Sequence, residues 1–323
     1  MQYGYFLDLT SNSTNHSGVS FVGCGSATPK QIIGNDQLGQ RVDTNNDWIQ
    51  SRTGISQRRV IGTNESLIDL ASEAALSAVN MAKWDVKTID LIILATSTPE
   101  DLFGSAPQIQ AKIGATNAVA FDLTAACSGF LFSLVTAAQY LISGSMNRVI
   151  VIGADQLSKW VDWDDRKTCV LFGDGAGAVI LSADSYEGII SSHIHADGQY
   201  NDLLSVEDKN IKMRGNEVFK VAVNTLSKLV DETLNKNNLD KSDIDWLVPH
   251  QANLRIIKAA AKKLSMSLDQ VVVTVDKHAN TSAASIPLAL NEAVKDGRIK
   301  DDQVILLEAF GSGFTWGSVL LRY

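Results

Sequence analysis

The sequence predicts an α/β protein made of two similar halves, and three observations carry that prediction. Short runs rich in β-branched residues alternate with longer stretches of helical periodicity. The order of elements in the first half recurs in the second. Both copies place a loop of small residues between a strand and an amphipathic helix. In chain order, "GVSFVGCG" from residue 18, "DLIILAT" from 90, "AVAFDL" from 118, "RVIVIGA" from 148 and "GAVILSA" from 177 read as strands, each apolar and bounded by Gly, Pro or polar turn residues. Between them, "SLIDLASEAALSAVNMAKW" and "SGFLFSLVTAAQYLISG" carry helical spacing. The second sets Phe130, Leu131, Leu134, Val135, Ala138 and Leu141 on one face.

The repeat is visible in the text of the chain. "IDLIILATSTPED" near 90 is answered by "IDWLVPHQANLR" near 245, and the segment from "AVAFDLTAACSGF" to "RVIVIGAD" is answered by the one from "VVVTVDKHANTSAAS" to "QVILLEAFGSG". Each copy reads strand, short loop, helix opened by small residues, charged turn, buried strand. The loop carries Cys127 in one copy and Asn280 in the other. This predicts a tandem duplication divided into residues 1–185, with the cysteine, and 186–323, with a histidine and the asparagine, converging on one site.

Composition narrows the function. The 323 residues are 45% hydrophobic, enough for a large core, and the net charge of −8 excludes a general binder of nucleic-acid backbones. No window approaches the roughly 18 uninterrupted apolar residues of a membrane span, and the polar start lacks the pattern of a secretory signal. The three cysteines, Cys24, Cys127 and Cys169, are an odd number without metal-ligand spacing, which argues against a disulfide framework or a zinc site and for a reducing compartment.

Cys127 stands apart from the other two by placement. A cysteine is commonly a small buried hydrophobe, the reading that suits Cys24 and Cys169. Cys127 lies at a strand-to-helix junction, where the helix N-terminus favours a thiolate, and Ala125, Ala126 and Gly129 leave room for a substrate. Of the five histidines, His16 lies in a polar tail and His193 and His195 alternate in a strand. His250 ends a strand and precedes "NLRIIKAAAKKL", a location that carries catalytic groups in α/β sheets. "FGDGAGAVIL" matches neither nucleotide-binding glycine pattern.

Cys127 in "AACSGF", His250 in "PHQAN" and Asn280 in "HANTSAASIPLAL", with "AFGSGFTWGS", resemble the Cys-His-Asn condensing enzymes, and among them the β-ketoacyl-acyl-carrier-protein synthase III family, from about Val19 to the C-terminus. The resemblance implies the duplicated thiolase-like αβαβα five-layer sandwich, as a homodimer in the cytoplasm or plastid stroma. It also implies acyl transfer from acetyl-CoA or another acyl-CoA to Cys127, then decarboxylative condensation with malonyl-acyl-carrier protein. Coenzyme A enters as thioester substrate, and no metal or redox cofactor is called for. The backbone N–H groups of Cys127 and Ser312 would form the oxyanion hole, with Ser312 where many relatives carry glycine. His250, neutral, and Asn280 would donate hydrogen bonds to the malonyl-derived enolate. Trp48, Arg52 and Arg166 would bind coenzyme A, and Phe103 would reach the partner's acyl pocket. Lys220, Gln251, Arg255, Lys258, Lys262 and Lys263 would meet the carrier protein. Two other readings stay open at this point: a Cys-His-Asn condensing enzyme of secondary metabolism, and a cysteine acyl-CoA hydrolase.

Overall fold

The computed structural model describes residues 4–8, 18–184 and 188–323. The chain first runs through β1 (Gly4–Asp8), β2 (Gly18–Ala27), β3 (Gln31–Gly34), α1 (Asn35–Gly39), α2 (Asn46–Thr53), β4 (Gln57–Val60), α3 (Leu67–Ala82), β5 (Leu91–Ala95), α4 (Ala106–Ile113), β6 (Val119–Leu123), α5 (Gly129–Ile142), β7 (Arg148–Gln156) and β8 (Asp174–Asp184). It continues through β9 (Ile189–Ala196), β10 (Leu204–Glu207), β11 (Asn210–Met213), α6 (Gly215–Asn237), β12 (Trp246–Pro249), α7 (Leu254–Leu264), α8 (Val275–His278), α9 (Ser285–Lys295), β13 (Val304–Gly311) and β14 (Thr315–Arg322).

Two five-stranded sheets result, ordered β2-β8-β7-β5-β6 and β1-β9-β14-β13-β12. Each has a parallel core, β7-β5-β6 in one and β13-β12 in the other, extended by antiparallel strands. The central strand β5 is apolar at every position because both its faces are covered. From β5, Leu91 and Ile93 pack on Phe130 and Leu134 of α5 and on Ala289 and Leu290 of α9. Ile92 and Leu94 point the other way, onto Ala71, Ala74 and Ile109 of α3 and α4. From β13, Ile305 and Leu307 face the same α5/α9 layer, whereas Val304 and Leu306 meet Val230 and Leu234 of α6 and Ile257 of α7. The order α3/α4, sheet, α5/α9, sheet, α6/α7 is the five-layer sandwich. The six residues expected on one face of α5 are all buried. At the start of α3, Ser66 Oγ accepts the Asp69 N–H at 3.0 Å and Asp69 accepts the Ser66 N–H at 3.1 Å, a reciprocal cap.

Two expectations need correction. The 185/186 division and His16 lie outside the described residues, but β1, expected in the first half, pairs antiparallel with β9 in the second sheet. The strand expected over "VVVTV", to match β6, is reduced to one bridge between Leu247 and Val271. The buried side chain of Gln251 takes the place of the missing ladder. Its Nε2 donates to the carbonyls of Pro249 at 2.7 Å and Val272 at 3.0 Å, and its Oε1 accepts the N–H groups of Thr274 at 2.8 Å and Val275 at 3.1 Å. With those backbone groups satisfied, the chain turns into α8 instead of extending.

Candidate active site

A cavity of about 620 Å³ lies between the ends of β12 and β13 and the helices α6 and α7, and Cys127, His250 and Asn280 all line it. The two halves thus bring the three residues expected from the sequence to one place.

Cys127 sits in a single 3-10 turn, Ala126–Ser128, immediately before α5. Ala126 before it has φ 49°, a left-handed conformation uncommon for a residue with a Cβ. The sequence reading expects the helix end to lower the thiol pKa. Burial outweighs it: desolvation pushes Cys127 up to about 12, as it pushes Cys24 up to about 12 and Cys169 up to about 11. Cys127 therefore rests as a thiol, and what separates it from the other two is access, since it alone of the three cysteines lines the cavity.

Gly311, at the end of β13, makes room beside it. A Cβ there would come within 2.8 Å of the Cys127 nitrogen and 3.0 Å of the Ser128 nitrogen. Ser312 follows, with its hydroxyl turned away onto the Leu204 carbonyl. The positive φ of this turn falls on Gly313, at 125°, so Ser312 needs no left-handed backbone. Ser312 itself is not among the cavity-lining residues; Gly311 is.

His250 is buried and held on two sides. Its backbone N–H donates to the Glu308 carbonyl at 2.7 Å, and its Nδ1 lies 2.6 Å from Ser285 Oγ. Ser285 Oγ also accepts the Gln251 N–H at 3.4 Å, and its O–H is free to donate to Nδ1, the arrangement that carries the ring proton on Nε2. Burial lowers the His250 pKa to about 3, so the ring is a neutral donor at physiological pH. Asn280 is oriented just as firmly. Its Oδ1 accepts the Ser282 N–H at 2.9 Å, which leaves its Nδ2 hydrogens to donate. Ala279 and Ser282 on either side have φ of 60° and 52°.

At the mouth, Trp48 lies under two guanidinium groups, Arg52 at 4.5 Å and Arg166 at 5.0 Å from the ring centroid. Trp48 and Arg52 line the cavity; Arg166 stands behind Trp48 and donates to the Asp43 carbonyl at 2.6 Å. Arg255 lines the mouth from α7, and Lys258 and Lys262 are exposed on that helix, as is Lys220 on α6. Two residues leave the expected docking set. Gln251 is 1% exposed and its amide is consumed internally, and Lys263 is half-buried and paired with Asp231 at 2.6 Å. Phe103 does not line this cavity and is 93% exposed, beside the equally exposed Leu102.

The equivalence of Cys127 with Asn280 is also corrected. By backbone conformation Ala126 (φ 49°) matches Ser282 (φ 52°), each opening a 3-10 turn before a central helix, so Cys127 matches Ala283. Sequence reasoning missed Ser285, Gly311 and Glu308. All three lay within stretches already quoted, Ser285 in "HANTSAASIPLAL", Glu308 in "QVILLEAFGSG" and Gly311 in "AFGSGFTWGS", but none was singled out as a residue.

Comparison with known proteins settles the family. Residues 121–198 match the model described as 3-oxoacyl-[acyl-carrier-protein (ACP)] synthase III, and residues 234–323 match its C-terminal counterpart. A curated β-ketoacyl-[acyl-carrier-protein] synthase III from Prochlorococcus marinus (strain NATL2A) is 59% identical over 98% of this chain and 99% of its own. The chain belongs to the β-ketoacyl-[acyl-carrier-protein] synthase III family. It is an acyltransferase of the thiolase fold. A crystal structure of the Aquifex aeolicus 3-oxoacyl-[acyl-carrier-protein] synthase III superposes with a TM-score of 0.93 at 44% identity, covering 95% of this chain and 100% of that one. The priming β-ketosynthase of the R1128 polyketide pathway superposes at 0.91 with 31% identity, over 96% and 98% of the two chains.

Proposed function

We propose that this synthase III moves a short acyl group, acetyl in the first instance, from coenzyme A to Cys127 and condenses it with malonyl-acyl-carrier protein, the step that initiates type II fatty-acid synthesis. The observation that carries this reading is the convergence in one cavity of a thiol, a neutral imidazole donor and an oriented amide donor.

In the first half-reaction the Cys127 sulfur attacks the thioester carbon and coenzyme A leaves as its thiol, carrying the cysteine proton. The developing oxyanion is held by the backbone N–H groups of Cys127 and Ser312, beside the space that Gly311 leaves open. In the second, decarboxylation of the malonyl group leaves an enolate, whose oxygen takes hydrogen bonds from His250 Nε2 and Asn280 Nδ2. A neutral His250 suits this role, because it donates without first yielding a proton. Stacked Trp48, with Arg52 and Arg166, receives the adenine and phosphates of coenzyme A. Lys220, Arg255, Lys258 and Lys262 dock the acidic carrier. The exposed Phe103 is assigned to the acyl pocket of a second copy in a homodimer, and the enzyme to the cytoplasm or plastid stroma. The division of the chain into halves near residue 185 belongs to the same reading.

The test is incubation with acetyl-CoA followed by peptide mass mapping, then addition of malonyl-carrier protein. One acetyl group on Cys127 that is consumed as acetoacetyl-carrier protein forms is the expected result. Label on another cysteine, or release of free acetate in place of condensation, would sink it. A panel of acyl-CoAs in the same assay separates the fatty-acid reading from priming of another pathway, the activity named for the R1128 relative.

A further inference from the structure

Glu308 is a buried acid that the chemistry above leaves without a task. It lies on β13 in register with Pro249, its carbonyl receives the His250 N–H, and it lines the catalytic cavity. Its side chain shares a sheet face with Leu306 and Phe310, the face covered by α6 and α7. The residue is 1% exposed, and neither carboxyl oxygen has a hydrogen-bond partner among the described residues. A leucine would fill such a place without penalty, whereas an unpaired carboxyl is costly to bury and is tolerated only in its neutral form. Burial accordingly pushes Glu308 up to about 8.

The proposed reaction has a need that matches this group. In condensation the bond from the malonyl α-carbon to its carboxylate breaks, carbon dioxide leaves, and the enolate carbon bonds to the acyl carbon. The acyl carbon–sulfur bond then breaks and leaves Cys127 as a thiolate. The balance lacks one proton, and with its pKa raised by burial this thiolate must recover it before the next cycle. His250, neutral at physiological pH, carries no second ring proton to give. Toward the mouth the other titratable groups are the cations Arg52, Lys167, Arg214 and Arg255, and Glu217. Along the sheet, His193 of β9 lies beyond Ser318 with Glu232 of α6 against it.

We infer that Glu308 is the proton reserve of the cavity: after each condensation its carboxylic acid returns a proton, through cavity water, to the Cys127 thiolate, and is then reloaded from solvent. The inference rests on the condensing reading proposed above.

The experiment compares the parent with Glu308→Gln in rapid-mixing and steady-state assays with acetyl-CoA and malonyl-carrier protein. Acylation of Cys127 and the first condensation should stay within about twofold of the parent. Later turnovers should slow by about 10²-fold, the scale of a lost proton transfer, so that product appears as a burst of one equivalent. The parent's steady-state rate should fall as pH rises past about 8, with the first turnover unaffected. Parent-like turnover in Glu308→Gln, or loss of its first turnover together with the later ones, overturns the inference. Should that variant not fold, Glu308→Asp, which keeps an acid, must retain multiple turnovers, and a parent profile flat through pH 8 overturns the inference by itself. A parent that acylates but does not condense refutes the condensing reading instead, and an infrared band of a protonated carboxyl present in the parent and absent from Glu308→Gln still reports on Glu308 alone.

Discussion

The two central turns of the molecule, 126–128 and 282–284, have the same backbone and opposite fates. Each begins on a non-glycine residue in the left-handed region, and each feeds a buried helix between the two sheets. The strands that face them are equivalent too: Asp90 accepts the Arg148 N–H at 3.0 Å, and Asp245 accepts that of Val304 at 2.7 Å. Counted along from those pairs, Asp155 on β7 occupies the place that Gly311 occupies on β13. The Asp155 carboxylate accepts the Ala283 N–H at 3.1 Å, together with Ser97 N–H at 2.7 Å and the hydroxyls of Thr98 at 3.0 Å and Thr96 at 3.2 Å. Gly311 presents nothing to the Cys127 N–H. One copy of the turn therefore spends its donor on the protein's own carboxylate, and the other faces a glycine, which in the mechanism proposed above leaves its donor for a substrate oxygen. On the proposed mechanism, what a single facing position carries is what makes the two similar turns differ in function.

Gly311→Asp tests that comparison most severely. It places on the Cys127 turn the carboxylate that Asp155 places on the Ala283 turn, and acylation by acetyl-CoA should fall by at least about 10²–10³-fold, the worth of an oxyanion donor. A variant that is acylated at the parent's rate would show that the two positions are not equivalent. The reverse change, Asp155→Ala, removes the acceptor from four donors, three of them buried. Its main effect should be on stability, a loss on the order of 3 kcal/mol in urea unfolding, since unpaired buried donors each cost about 1–3 kcal/mol and water recovers part of it. An unchanged unfolding midpoint would mean that Asp155 does not hold the second turn. The smallest effect concerns the entrance. Reversing charge at Arg255 and Lys262 together should slow condensation with malonyl-carrier protein several-fold at low salt, with little loss at high salt, because screening shortens the reach of exposed charges to about 10 Å or less. Acylation by acetyl-CoA should barely change; equal losses in both half-reactions would return α7 to an ordinary solvated face.

Much of this was legible in the sequence because it rests on local pattern. Leu91–Ala95 reads as an unbroken apolar strand since both faces are covered, and Cys127 reads as unusual because small residues crowd a strand-to-helix junction. What escaped depends on partners far along the chain. Gln251 looks like a surface polar residue until Thr274 and Val275 are seen to bond to its amide, and Lys263 looks free until α6 brings Asp231 beside it. The equivalence of Cys127 with Ala283, not Asn280, is a matter of φ angles, which loops of similar composition do not advertise. Ser285 and Glu308 carry no signal of their own, since a serine among small residues and a glutamate near a glycine turn are ordinary until a histidine ring and a cavity lie against them.

The crossing of β1 into the second sheet has a consequence for how the chain is protected as well as how it folds. β9 would otherwise be the outer strand of that sheet, offering a row of open N–H and C=O groups to any other extended chain. Gly4–Asp8 covers that row in register from Gly4 with His195 to Asp8 with Ser191. The open margin of the sheet is thereby moved from the eight-residue β9 to the five-residue β1, a shorter template for pairing, and a truncation that removed β1 and left the catalytic cavity intact would expose the longer one.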